Sequence, residues 1–137
     1  MKNKISKVIA ICLVCLSLFS TSAFALTSYQ NYVVDVPKLN GSAMTTEQTK
    51  SKTAYSGNIN VSKVGGGKKL DCRMRDEDKS AGAWVKNVTT GSKETLLSRA
   101  SHEKGDKMHV YFSNKLTTVV DVTTSGTWIN NINIITN

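Results

Sequence analysis

The sequence predicts an all-β fold, a small antiparallel β-sandwich of seven or eight short strands that follows a cleaved signal peptide. Three observations carry this reading. Apolar and polar residues alternate over several stretches of six to eight residues, and a period of two belongs to strands with one buried face. Clusters of Gly, Asn, Asp and Ser separate the stretches at about 8–12 residues, the rhythm of a sandwich or barrel rather than of βαβ units. Serine and threonine are abundant throughout, which suits half-exposed strands better than helices.

Residues 1–25 stand apart from that pattern. They hold three lysines (Lys2, Lys4, Lys7) and no acid, then an apolar run from Val8 to Phe19 broken only by Ser17, then Ala23-Phe24-Ala25. A basic start, a short apolar centre and small residues in an A-x-A arrangement make a secretory signal peptide, with Ala23 and Ala25 marking the cleavage site. The run of about 12 residues is shorter than the roughly 20 that a spanning helix needs. Neither Cys12, after Ile11, nor Cys15, after Val14, has the small neighbour of a lipoprotein signal, and no L-P-x-T-G sorting motif is present. The expected mature chain is one β domain, residues 26–137, with no transmembrane segment, secreted or held at the cell wall.

Within that domain the elements follow in order. Residues 31–36 alternate, with Tyr32, Val34 and Val36 on one face, and Pro37 stops the strand because it lacks the N–H a ladder needs. Residues 38–56 are mostly polar, with Asn40-Gly41 as a turn signal, and are expected to form a mobile surface loop. Residues 58–64 make a second strand with Ile59 and Val61 inward, and Gly65-Gly66-Gly67 reverses the chain. Residues 68–75 alternate most clearly: Leu70, Cys72 and Met74 face the core, while Lys69, Asp71, Arg73 and Arg75 face solvent. After the charged turn Asp76-Glu77-Asp78-Lys79, residues 83–89 form a strand carrying Trp84. Residues 93–101 tolerate a helix but fit the strand rhythm. Residues 107–113 place Met108, Val110 and Phe112 inside and His109 and Tyr111 outside. Residues 116–123 and 128–135 read as two last strands separated by Ser125-Gly126.

Loss of the signal changes the chemical inventory. The full chain has 18 cations, 10 acids and three cysteines. Without residues 1–25, fifteen cations face ten acids, a net charge of +5, and only Cys72 is left. An internal disulfide is then excluded, and the fold rests on its core; about 112 residues suffice for one core and not for two domains. The basic balance favours anionic partners. Lys63, Lys68, Lys69, Arg73 and Arg75 lie within 13 positions, and Lys68, Lys69, Arg73 and Arg75 are the candidate polyanion-binding residues. Teichoic acid or an anionic membrane surface is the expected partner. Nucleic acid is not, since the basic run lacks aromatic interleaving.

Other motifs weigh against catalysis. Gly65-Gly66-Gly67-Lys68-Lys69 lacks the hydroxyl residue and the following helix of a phosphate loop. Asp76, Asp78 and Ser80 alternate as in a calcium loop, but Ala81 and Asn87 stand where glycine and glutamate belong. Cys72 is assigned to the core rather than to a dyad with His102 or His109. Zinc ligand spacing is absent among Cys72, His102, Asp106 and His109. No cofactor and no enzymatic activity are expected. Trp84 and Trp128 are both expected in the core.

The segments Ser80-Ala81-Gly82-Ala83-Trp84-Val85-Lys86 and Ser125-Gly126-Thr127-Trp128 carry a resemblance. The chain is similar in layout to a family of small secreted all-β proteins of unknown function from Gram-positive bacteria, with a glycine-tryptophan near the end. The A-G-x-W-x-K segment also resembles β-sandwich bacteriocins of the lactococcin kind, which act on cell-wall synthesis in sensitive cells. Neither resemblance carries functional residues to this chain. The functional expectation is a non-enzymatic protein that binds anionic envelope polymers through a basic sheet face. The alternatives are a bacteriocin-like antibacterial protein and an extracellular matrix or self-assembly protein, the last motivated by the charge-poor C-terminal strands.

Overall fold

Alternation, turn chemistry and one close backbone approach build two stacked antiparallel sheets. The computed structural model describes residues 28–78 and 80–132; the expected signal peptide, with its expected cleavage residues Ala23 and Ala25, and residues 133–135 of the last expected strand lie outside them. The strands are β1 (Gln30–Val36), β2 (Ser42–Met44), β3 (Gln48–Thr49), β4 (Gly57–Val64), β5 (Leu70–Asp76), β6 (Val85–Val88), β7 (Lys93–Leu96), β8 (Lys107–Ser113) and β9 (Val122–Ile129). The first sheet runs β1-β9-β4-β7 and the second β2-β8-β5-β6, with β3 also on β8. The all-β sandwich is as the sequence predicts, and among the described residues there is no α-helix, so no helix long and apolar enough to cross a membrane.

The core is the sum of the inward faces. Tyr32, Val34 and Val36 of β1, Ile59, Val61 and Val64 of β4, and Val122 and Trp128 of β9 meet Leu70, Cys72 and Met74 of β5 and Met108, Val110 and Phe112 of β8. Tyr32 and Phe112 join the sheets, ring centroids 5.4 Å apart. Apolar area removed from water is the main stabilising term, at about 25 cal/mol per Å². A bulge between Val61 and Lys63 puts Ser62 and Lys63 in solvent together, which returns Val64 to the core.

Two expectations change. Residues 38–56, expected as a surface loop, supply β2 and β3, and several of their side chains are buried. Gln48 donates to the Trp128 carbonyl (2.9 Å) and accepts from the Asn130 amide (3.1 Å), and Asn130 Nδ2 donates to the Gln48 carbonyl (2.8 Å). Polar composition hid these strands because their anchors are amides and an ammonium rather than apolar groups. The expected pair 116–123 and 128–135 is corrected as well: residues 122–129 are one strand, running straight through Ser125-Gly126. Glycine there reflects proximity rather than a turn, since a Cβ at Gly126 would stand 2.0 Å from the Asn60 carbonyl oxygen of β4. β9 lies between β1 and β4, so residues 122–129 are central and not a sheet edge.

The registers set what shares each end of the sandwich. Links 37–41, 65–69, 89–92 and 114–121 gather at one end, and links 50–56, 77–84 and 97–106 at the other. At the second end Lys50 is buried, its ammonium donating to the Tyr55 and Asn130 carbonyls. Burial pulls its pKa from 10.5 down to about 8, partly opposed by Asp106.

Two outcomes follow for stability. Gly126→Ala forces β4 and β9 apart and lowers the unfolding free energy by about 3 kcal/mol in urea titration; a loss under about 1 kcal/mol contradicts the close approach. For Lys50, the unfolded chain stays protonated to about pH 10.5 while the native ammonium titrates near 8. Between those values the unfolded state binds more protons, so the Lys50 contribution to stability rises with pH. Burial raises Cys72 and Tyr32 from 9.0 and 10.0 to about 12, and each acts in the opposite sense above its unfolded value. The comparison with Lys50→Met cancels those two: from pH 7.5 to 10 the difference moves in favour of the wild-type protein. A difference independent of pH contradicts the buried ammonium.

Candidate functional site

Because Leu70, Cys72 and Met74 are fully buried, Asp71, Arg73 and Arg75 must leave β5 on the outer face. Across the sheet Ser113, Tyr111 and His109 of β8 pair with them in that order, and Met44 of β2 pairs with Tyr111. On the other side Val85 of β6 pairs with Cys72, which leaves Trp84 beside Arg73. One row therefore crosses the sheet: Met44, Tyr111, Arg73, Trp84.

The row is a stack of cations and rings. The Arg73 guanidinium carbon lies 4.3 Å from the Trp84 ring centre and 5.6 Å from that of Tyr111. The Arg75 carbon is 4.9 Å from Tyr111, and the Lys86 ammonium is 4.9 Å from Trp84. The two rings are themselves 5.9 Å apart, tilted by 57°. Each ring thus meets two cations, an arrangement worth about 0.5–2 kcal/mol per contact depending on desolvation. Guanidinium is weakly hydrated and planar, so it accepts such stacking and keeps its edge donors for an acceptor. Arg73 Nε is buried and has no hydrogen-bond partner.

Nearby carboxylates do not neutralise the arginines. Asp71 binds the Lys86 ammonium at 2.9 Å and accepts the Asn87 amide at 2.9 Å. Asp76 is buried and accepts the Ser80 amide at 2.7 Å, which closes its own turn. Among the described residues neither Arg73 nor Arg75 has a carboxylate within ion-pair distance.

The sequence-expected cations are not all on β5. Arg73 and Arg75 are. Lys68 and Lys69 are exposed in the link that carries the chain from one sheet to the other, and Lys69 precedes the strand whose face it was expected to share. Four residues along the chain put Lys69 about 13 Å from Arg73. Lys63 lies on β4, in the opposite sheet.

Trp84 is corrected: it is half-exposed on the outer face, not core, whereas Trp128 is fully buried as expected. A register shift explains the difference. Leu70 pairs with Val88 and Cys72 with Val85, so β6 carries one extra residue, and Asn87 takes a left-handed φ of 60° to absorb it. Alternation cannot be read across such a bulge. Tyr111 and Arg73 were both legible as outward; their pairing was the signal available for finding the row.

Other candidate groups are separated. Cys72 is fully buried, while His109 is on the outer face. His102 is a buried pin: its Nδ1 accepts the Arg99 amide at 3.1 Å, and its Nε2 donates to the Ser80 carbonyl at 3.1 Å. Among the described residues, Glu47, Glu77 and His109 each offer one ligand atom within 4.8 Å of the others, close enough to hold a divalent ion. His109 Nδ1 donates to the Thr45 carbonyl at 2.9 Å, which leaves Nε2 as its ligand atom. Glu47 already binds Lys107 at 3.0 Å, and that hydrogen bond holds its carboxyl below the usual range.

Compared with known proteins, the chain matches no family model and no curated protein.

Proposed function

We propose that the protein acts outside the cell as a non-catalytic binder of anionic envelope polymers, with the outer face of β5, β6 and β8 as its binding surface. The observation that carries the reading is Arg73: its guanidinium lies against both the Trp84 and Tyr111 rings and has no carboxylate partner among the described residues. A phosphodiester fits, because its two free oxygens match the guanidinium fork. Arg75, a strand pleat further along, repeats the cation at about 7 Å, on the order of the spacing between phosphates of a polyol phosphate chain. The rings then flank the polymer's apolar carbons. Teichoic acid belongs to this chemical class.

Replacing Arg73 and Arg75 together by Gln weakens salt-reversible binding to purified, teichoic-acid-bearing walls by about tenfold or more, taking roughly 1 kcal/mol or more for each lost charged hydrogen bond. The double variant keeps its far-ultraviolet dichroism. Undiminished wall binding by the folded variant rejects this surface. Equal weakening by Lys68→Gln with Lys69→Gln alone assigns the binding to the inter-sheet link instead.

A further inference from the structure

A second surface lies at the end of the sandwich where links 37–41, 65–69 and 114–121 meet. Four large apolar side chains stand in solvent there: Leu39, Leu116, Val119 and Val120, with Leu116 and Val119 each 70 % exposed. The loops that present them are tightly built. Asn114 is buried, and its Nδ2 donates to the Pro37 and Val120 carbonyls at 3.2 and 3.3 Å. The Leu39 amide donates to the Thr118 carbonyl at 2.8 Å, and the Thr118 amide to Lys115 at 3.0 Å. Leu39 takes a φ of 55°, a left-handed conformation that leucine rarely adopts. Hydrogen bonding therefore holds apolar side chains outward instead of letting them fold back.

Lysines occupy the same links. Lys38 and Lys115 belong to the same two links, the Lys115 ammonium donating to Asn87 Oδ1 at 2.5 Å, and Lys68 and Lys69 belong to the third. That third link lies against the start of β9, since a Cβ at Gly65 would stand 3.3 Å from the Thr123 carbonyl oxygen. The acids at this end are engaged: Asp121 accepts the Lys38 amide at 2.9 Å, and Asp35 accepts the Thr123 hydroxyl at 2.5 Å.

We infer that this end docks on an anionic lipid bilayer, with Leu39, Leu116, Val119 and Val120 entering the headgroup–acyl boundary and Lys38, Lys68, Lys69 and Lys115 meeting lipid phosphates. Apolar side chains with cations on the same links are the complement of that surface. A protein partner fits less well, because the patch offers no aromatic or arginine anchor. The inference uses residues distinct from the arginine face and does not depend on the polymer reading.

Val119→Trp supplies a reporter at an exposed position, with the wild-type protein as background for Trp84 and Trp128. Its emission shifts to the blue on phosphatidylglycerol-containing vesicles, and not on phosphatidylcholine alone. The wild-type protein co-sediments with the same anionic vesicles, which keeps the test open if the variant fails to fold. Lys68→Gln, Lys69→Gln and Lys115→Gln together weaken vesicle binding by about tenfold or more, while Lys52→Gln with Lys104→Gln, exposed at the opposite end of the sandwich, leaves it unchanged. Absence of both the shift and co-sedimentation overturns the inference. So does an equal shift on neutral vesicles, or one that grows with protein concentration without lipid, which identifies a second copy as the occupant.

Discussion

The burial of one face of β5 is the constraint on which the rest of the structure depends. Leu70, Cys72 and Met74 are each fully buried, and strand side chains alternate. A slip of one residue would bring Asp71, Arg73 and Arg75 into the core. The cost of burying unpaired charge, several kcal/mol per ion, fixes the register. That same register sets Arg73 opposite Tyr111 and beside Trp84. Core and proposed binding face are thus two sides of one strand, and the apolar side positions the charged one.

The sandwich separates its chemistries by position. The arginine and ring row occupies the middle of the second sheet's outer face. Carboxylates Asp76, Glu77, Asp78 and Asp106 cluster with Lys107 around a cleft at one end. Exposed Leu and Val side chains with lysines occupy the other end. A polymer lying on the arginine row and a bilayer under the apolar end would meet the same molecule on adjoining surfaces.

Much of the architecture was legible because apolar alternation reports burial directly. β1, β4, β5 and β8 read correctly, as did the buried Cys72 and the outward Arg73, Arg75 and Tyr111. The pattern failed where burial is polar or where geometry departs from a period of two. Gln48 and Lys50 anchor 38–56 through hydrogen bonds that composition cannot show. Gly126 looked like a turn because the backbone opposite it is invisible in one dimension. The bulge in β6 hid the outward Trp84, and with it the cation–ring row. Lys63 is close to the arginines in sequence, but the chain changes sheets at Gly65–Gly67, which puts it in the opposite sheet, while Lys68 and Lys69 lie in the link just before β5.

The central claim is that Arg73, set against two neighbouring rings, receives a phosphodiester. Titrating the isotope-labelled protein with a soluble glycerol phosphate polymer, observed through backbone amide, arginine Nε and indole signals, tests it most directly. The account predicts saturable shifts at the Arg73 and Arg75 Nε–H and the Trp84 indole, with Trp128 unmoved. Shifts confined to Lys38, Lys68, Lys69 and Lys115, or none at all, would contradict it.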